Sequence, residues 1–464
     1  MGLDKIKNIL NEGDIINPDS PQYEEQCRTW AAQCNKKPRV VVQPKDLTTL
    51  STLITYLNRS DLDFAIRCTG VGNASAKDVL VSLANFKSFS FDAQNETVIF
   101  GAGHNWGEID RKVEEYAPGY AAVGARCTYV GVGGSIIHGG QSWLSSEYGL
   151  SSDPQNFLDA QVVKMDGSIV WAAEEPDLMW ALRGGGGGFG VVTACKMRVY
   201  KYPSSIYCGQ IIYPADALQD LAREVGAFAA RCSDPKVALH LYCLNMSMGT
   251  YAGNEPQPGL AIFAYDANGE EHGRSEAGFK WALDIKGAVD LTKALNIREV
   301  NEGFDSLKAT MGVTNTWQCG ATLSSIDEGL ILRSWKWYVE LVNKEPSLAR
   351  STYVLIEMMQ KAAYQSLKYP SKETAWPHTR NQHNLQMGAG RIPGSEEGDL
   401  VGYQAMANGP FEIKAKHTKA DYFPNFLEGF VDPKEVFGEN WPRLVDIKKK
   451  YDPNNKLGGP FSER

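Results

Sequence analysis

The sequence predicts an α+β fold, and three observations carry that prediction. Strand-like and helix-like runs alternate through the first third without settling into a repeated βαβ unit. A hairpin signature stands at Leu158–Met165, Asp166-Gly167 and Ser168–Ala172. Beyond about Ser204, long helical runs mix with strand-like runs instead of alternating strictly with them. The chain has 464 residues, enough for two or three domains and an ample core.

Taken in order, Arg39–Val42 reads as a strand. Leu47, Leu50, Ile54 and Leu57 recur at helical spacing, and Pro44-Lys45-Asp46 suits a helix start. Phe64–Arg67 is a second strand that runs into the loop Cys68–Ser75. Val79–Leu83 and Thr97–Phe100 are further strands, and Trp106–Tyr116 is a helix broken by Pro118-Gly119. Val191–Tyr200 is a strand. A second region, from about Ser204 to His417, holds helices at Ala217–Cys232 and Leu330–Asn343 and strands at Leu260–Tyr265 and Tyr353–Met358. Arg380–Asp399, with four glycines and few aliphatic residues, reads as a loop-rich surface. Leu444, Ile447 and Tyr451 share one face of a final helix that stops at Asp452-Pro453.

Composition excludes several function classes. Fifty-five acids against 47 bases leave a net charge of −8, which argues against a broad nucleic-acid surface. No apolar run reaches the ~18 residues of a membrane span. The first residues lack the apolar stretch of a secretory leader, so the expectation is a cytoplasmic protein, with secretion open if a leader has been removed. Nine cysteines form no C-x-x-C pair, which argues against a zinc ribbon or a thioredoxin-type motif. An odd count favours free thiols, although Cys27 and Cys34 could pair in a secreted precursor. Sequons start at Asn58, Asn73, Asn95 and Asn245 and carry little weight without a leader. His378 and His383 do not have the spacing of a helical metal pair, and no metal is expected. Nothing in the sequence speaks to the oligomeric state.

Glycine numbers 45 residues and concentrates between Gly124 and Gly190. Gly185, Gly187 and Gly190 satisfy G-x-G-x-x-G, but a strand follows them where a dinucleotide fingerprint needs a helix, so a Rossmann site is rejected. A second cluster is Val130-Gly-Val-Gly-Gly134 with Gly139-Gly140. On spacing alone two readings stand side by side: backbone amides cradling a pyrophosphate and a flat ring, or tight turns in an antiparallel region.

The ordered motifs resolve the choice by resemblance. Cys127-Thr-Tyr-Val-Gly-Val-Gly-Gly134, His138-Gly-Gly140, Tyr148-Gly-Leu150 and Asp153 resemble the flavin-binding core of the berberine-bridge-enzyme-like oxidases. These belong to the vanillyl-alcohol oxidase and p-cresol methylhydroxylase (PCMH) superfamily. Val40-Val-Val-Gln-Pro44, Gly101-Ala-Gly103, Asp166-Gly-Ser-Ile-Val170, Trp180 to Val192, Thr374-Ala-Trp-Pro-His378 and Gly438 to Leu444 with Lys450-Tyr-Asp-Pro453 extend the match. The resemblance implies a PCMH-type FAD-binding domain over 1–203, with its core at about 37–202. It also implies a substrate domain over 204–417, built on an antiparallel sheet covered by helices, and a segment 418–464 that returns to the first domain. It assigns FAD contacts to Arg67, Thr69, Gly70, Val71, Gly72, Asn73, Ala74, Cys127, Val130, Gly131, Gly133, Gly134, His138, Gly139, Asp153, Gly187, Gly190, Val192 and Asn425.

Departures from the family pattern matter equally. Many members attach the flavin through a histidine in an Arg-Ser-Gly-Gly-His loop. Here the loop is Arg67-Cys-Thr-Gly-Val-Gly-Asn-Ala74, with Val71 at that place. Cys127 aligns with the cysteine of a second, thioether link, but Thr128-Tyr129 replaces the usual Pro-Thr, which favours noncovalent FAD. The family's Tyr-x-Asn-Tyr motif is Phe423-Pro-Asn-Phe426, so both phenols are missing. Candidate acid–base groups are then His138, Tyr422, Glu357 and His378. The competing reading makes His378 structural and Glu357 a salt-bridged strand acid. The expected function is oxidation of a hydrophobic or aromatic small molecule in secondary metabolism, by hydride transfer to FAD with O₂ as acceptor. The alternative is a non-redox isomerase or cyclase on the same flavoprotein scaffold.

Overall fold

The computed structural model describes residues 2–246, 257–360, 371–378, 383–415 and 420–461. Its first sheet contains β1 (Ile15–Ile16), β2 (Val40–Val42), β3 (Phe64–Arg67) and β4 (Val79–Ser82) in the order β1-β2-β4-β3. β4 is parallel to both β2 and β3. The helix Leu47–Asn58 connects β2 to β3 and buries Leu50, Leu53, Ile54 and Leu57. It starts where it does because the Asp46 carboxylate accepts the Thr49 amide at 2.8 Å.

The second sheet contains β5 (Phe89–Asp92), β6 (Thr97–Gly101), β7 (Tyr120–Ala122), β8 (Phe157–Val163), β9 (Ile169–Trp171) and β10 (Val191–Lys201). Its order is β5-β6-β10-β8-β9, and β7 also pairs with β10. The expected hairpin is β8–β9, closing with Val163 opposite Ile169.

The third sheet contains β11 (Ile206–Tyr213), β12 (Val237–Asn245), β13 (Pro258–Asp266), β14 (Val289–Asp290), β15 (Lys293–Leu295), β16 (Asn315–Leu323), β17 (Tyr353–Met358) and β18 (His383–Arg391). Its order is β14-β11-β13-β12-β17-β18-β16, with β15 on β11. Alternation gives this sheet two unlike faces. Leu239, Leu241, Val354, Ile356, Leu385 and Met387 are buried in the core shared with the helices Leu218–Arg231, Glu328–Lys344 and Glu396–Lys414. The opposite face carries His240, Tyr242, Glu357 and Asn384. The architecture is α+β, as the sequence predicts.

The segment expected to be loop-rich, Arg380–Asp399, is a correction. Its described residues form β18, which pairs with β17 and β16, and then the start of the helix Glu396–Lys414. Gly388 and Gly390 are strand glycines. A side chain at Gly388 would collide with the Tyr353 ring, and one at Gly390 would press on Thr316 and Ser351. They are small because neighbours lie over them, not because the chain turns.

The C-terminal helix Trp441–Tyr451 packs on the helix Pro176–Leu182, with the Arg443 guanidinium 4.0 Å from the centre of the Trp180 ring. Lys448 Nζ donates to the Gly188 carbonyl at 3.0 Å and to Asp452 Oδ2 at 2.6 Å. The tail therefore grips the five-glycine loop directly. All nine cysteines are thiols, so the conditional Cys27–Cys34 bridge is absent. Cys27 instead accepts a long contact from Asn35. Among the described residues no helix is long and apolar enough to cross a membrane.

One contact between the second and third sheets' helices is pH-sensitive. Asp110, on the helix Trp106–Tyr116, accepts Asn301 Nδ2 at 2.9 Å from the helix Ile297–Glu302. Burial raises its carboxyl to about 7, a shift that Asn301 and Arg111 oppose and nearby Glu302 supports. A carboxyl whose folded pKa lies above its unfolded value stabilises the fold most below about pH 4. That contribution declines as pH rises and is gone above about 7. Asp110→Asn is therefore expected to remove this slope and to stabilise the protein at alkaline pH. Urea midpoints across that range check it; a variant less stable than the parent at alkaline pH would refute it.

Candidate functional site

Two glycine loops and the polar face of the third sheet converge on one region. At the end of β3, Arg67 is 6% exposed. Its guanidinium donates to the carbonyls of Arg28 and Thr69. Gly70, at φ +86°, lies over that guanidinium with no room for a side chain. Asn73, at φ +60°, accepts the Ala31 amide at 2.9 Å. Arg67 and Asn73 thus shape the loop from behind. Thr69, Val71 and Ala74 are half-buried along it, and a Cβ on Gly72 would meet only open space.

The second loop leads from Cys127 through half-buried Val130 into the short helix Val132–Ile137. Gly131 packs against Cys68 Sγ and Thr69 Oγ1, and Gly133 against Ala102. These contacts seat the loops on each other, while Gly134 opens to empty space. His138 follows at the helix end. Its Nδ1 lies 2.7 Å from the Gly134 carbonyl. A carbonyl only accepts, so Nδ1 carries the proton and Nε2 keeps its lone pair. A Cβ on Gly186 would sit 2.8 Å from that Nε2. Burial holds the imidazole below its ordinary pKa.

Gly139, at φ +107°, faces Trp376 and Asn425 Oδ1. Gly187 opens to empty space, whereas Gly190 is pressed onto Val162 and Val192 is a buried residue of β10 opposite Val162. Asp153 is buried; it accepts the Leu150 amide at 2.7 Å and lies 2.7 Å from His378 Nε2. That pair braces the turn at Leu150–Asp153.

Opposite the loops the third sheet presents three rows. His240, Glu357, Asn384 and Thr322 lie side by side across β12, β17, β18 and β16. The next row is Tyr242, Leu355, Gln386 and Gly320. The third is Leu244, Tyr353, Gly388 and Gln318. Arg126, from the loop before Cys127, reaches the first row. Its Nη2 lies 2.7 Å from Glu357 Oε1 and its Nη1 3.0 Å from His240 Nε2. Asn384 Nδ2 donates to Glu357 Oε2 at 3.1 Å. Glu357 is thus a salt-bridged strand acid with both oxygens engaged. Gln318 Nε2 donates to the Tyr353 hydroxyl at 3.1 Å. The Cys127 thiol bonds to Tyr129, which stacks on Trp30 at 5.4 Å.

Tyr422 stands elsewhere. Its hydroxyl reaches the Ala407 carbonyl at 3.5 Å, in the helix behind the sheet, and its ring packs on Phe430. The side chain of this candidate base is thus directed to the helix behind the sheet. Phe423 lies in the space that Gly320 leaves. Sequence reasoning missed Arg126, His240, Tyr242 and Tyr353. The polar alternation of His240 and Tyr242 among the aliphatics of Val237–Leu244 was the available signal.

Comparison with known proteins matches this construction. Residues 38–173 match the model described as FAD binding domain, and residues 420–457 match the one described as Berberine and berberine like. The FAD-linked oxidoreductase iacH of Pestalotiopsis fici is 24% identical over 97% of this chain and 88% of its own. The (R)-6-hydroxynicotine oxidase of Paenarthrobacter nicotinovorans is 27% identical over 46% of each chain. The structure of Physcomitrella patens BBE-like 1 superposes with a TM-score of 0.80, 17% identity and 99% coverage of both chains. The chain is an FAD-linked oxidoreductase similar to the berberine-bridge-enzyme-like proteins.

FAD fits the residues present in this flavoprotein. Gly72, Gly134 and Gly187 each leave open the space that a side chain would fill. The start of the helix Val132–Ile137 has no side-chain cap to compete with a ligand. The backbone of these loops would hold the cofactor, and the three-row wall would face its ring. Covalent attachment through Cys127 meets an obstacle, because burial pushes its thiol above the ordinary value and the thiolate is the nucleophile. Noncovalent FAD is therefore expected. Mass spectrometry of the denatured holoprotein checks it: an added FAD mass that vanishes in Cys127→Ser would overturn the expectation.

Proposed function

We propose that this flavoprotein oxidises a small aromatic molecule bearing oxygen substituents, as an oxidative step of secondary metabolism with O₂ as the final acceptor. The observation that carries this reading is the wall opposite the glycine loops. There Tyr242 and Tyr353 offer ring surface, while their hydroxyls, Gln318 and Gln386 offer hydrogen bonds, and Trp30 stacked on Tyr129 adds ring surface on the side of the glycine loops. Such a surface suits a flat ring with polar substituents. The relative named for oxidising 6-hydroxynicotine supports the same class.

Bound FAD supplies the two-electron acceptor for a hydride leaving a substrate carbon. The protein's part is to orient that carbon and to handle protons. His138 offers a neutral Nε2 lone pair on the glycine side, since its Nδ1 proton is committed to Gly134. His138→Ala is expected to keep FAD and to lose at least about tenfold in turnover. Unchanged turnover would make the histidine a brace for Gly186. The reading as a whole is tested by mixing the holoenzyme with aromatic alcohols without air. Loss of the oxidised-flavin absorbance, followed by peroxide release on admitting O₂, is the expected result. Reduction by no aromatic alcohol or phenol would refute it.

A further inference from the structure

We propose that Tyr242 is the hydrogen-bond donor that fixes an oxygen atom of the substrate, and that Arg126 and His240 set its direction. The inference rests on the substrate lying against the sheet, as proposed above. It begins with donor arithmetic. An arginine side chain has N–H groups and no acceptor. The 3.0 Å contact between Arg126 Nη1 and His240 Nε2 is therefore donated by Arg126, and Nε2 holds a lone pair. Neutral His240 then carries its proton on Nδ1. The 3.3 Å contact between Nδ1 and the Tyr242 oxygen must run from the imidazole to the phenol. The phenol's own proton is left to point elsewhere. Among the described residues no other partner of that hydroxyl is present, and the Tyr242 ring is half-buried beside Cys127 and Tyr353.

The chain is held in this sense from every side. Glu357, itself held by Asn384, anchors the guanidinium. Trp143 stacks on the His240 ring at 4.2 Å, which opposes a ring flip. Burial and the Arg126 charge both push His240 well below its ordinary pKa, so a cationic form does not compete. Burial pushes the Tyr242 phenol up, against the pull of Arg126, so it stays a neutral donor. A phenol that already accepts from His240 Nδ1–H, so cannot give its own proton to that ring, and that stays neutral selects a substrate atom that accepts: a hydroxyl, carbonyl or ether oxygen.

The test uses the FAD-loaded enzyme and two probes, benzyl alcohol and toluene, with binding followed by perturbation of the flavin absorbance. Tyr242→Phe is expected to shift the ratio of benzyl alcohol to toluene affinity by about tenfold against the alcohol. Toluene affinity should be unchanged. His240→Asn, whose amide nitrogen can stand where Nδ1 stood, should retain most of the preference. Binding of both probes with no change in ratio overturns the role of Tyr242 and leaves the substrate class standing. Failure of both probes to bind a fully loaded enzyme overturns the substrate class and the proposal with it. A readout independent of any substrate is ¹⁵N-histidine NMR, with His240 assigned from the Asn variant. A neutral ring protonated at Nδ1 is expected, and a cationic or Nε2-protonated ring would overturn the proposal.

Discussion

Glu357→Ala is expected to destabilise the holoprotein by about 3–5 kcal/mol, the usual cost of removing one partner of a buried ion pair. The glutamate is fully buried, and the side chain of its partner Arg126 is 16% exposed. Deleting the carboxylate leaves the guanidinium with only His240 at hand, in surroundings that solvate a cation poorly. It also strips Asn384 of its acceptor. The loss should therefore exceed that of a cavity of the same size. The double variant Arg126→Met with Glu357→Leu should recover much of it, because an apolar pair of similar volume needs no compensation. Unfolding of the single and double variants in urea measures this directly. A loss under about 1 kcal/mol in the single variant would show that water reaches the pair.

Gly131→Ala is expected to cost about tenfold or more in FAD affinity, in line with the strain of an overpacked contact. The backbone there has φ −71° and ψ 135°, which alanine adopts freely, so conformation is not the obstacle. The obstacle is the new methyl, placed 2.5 Å from Cys68 Sγ and 2.9 Å from Thr69 Oγ1. Cys68 has little room to retreat, since its sulfur already lies 2.8 Å from the Ala102 carbonyl and 3.4 Å from that of His104. The loop Cys68–Ser75 must then move off the helix Val132–Ile137, and the cradle between them opens. Adding Cys68→Ala should restore part of the affinity by removing the closer of the two colliding atoms. Flavin titration of the apoprotein checks both variants. Undiminished loading in Gly131→Ala would show that the two loops do not hold the cofactor jointly.

Much of the cofactor side was legible because its signals are local. Gly70 and Gly139 mark left-handed backbone, Asp46 and Asn105 cap helices three residues ahead, and Asp166-Gly167 turns a hairpin. Each of these rests on neighbours within a few positions, which a linear pattern displays. The helix starts and the hairpin turn could therefore be placed from the sequence alone, and the ordered motifs could be likened to a family.

The substrate side was decided by tertiary structure. Glu357 in isolation is one acid in an apolar strand; only the fold brings Arg126 against it and excludes water from the pair. Tyr422 follows a family-like position, yet its backbone bridges to Ala321 and its ring turns behind the sheet. Gly388 and Gly390 signal a loop by composition, and the Tyr353 ring over one and Thr316 and Ser351 over the other explain why glycines sit in this strand. The sequence by itself determined the turns, caps, core periodicity and glycine cradle, since their physics is short-range. Which polar side chains meet, which of them ionise and which hydroxyl is left facing the substrate depend on groups brought together from β12, β17, β18 and the Cys127 loop. Desolvation and hydrogen-bond direction exist only once those groups are packed.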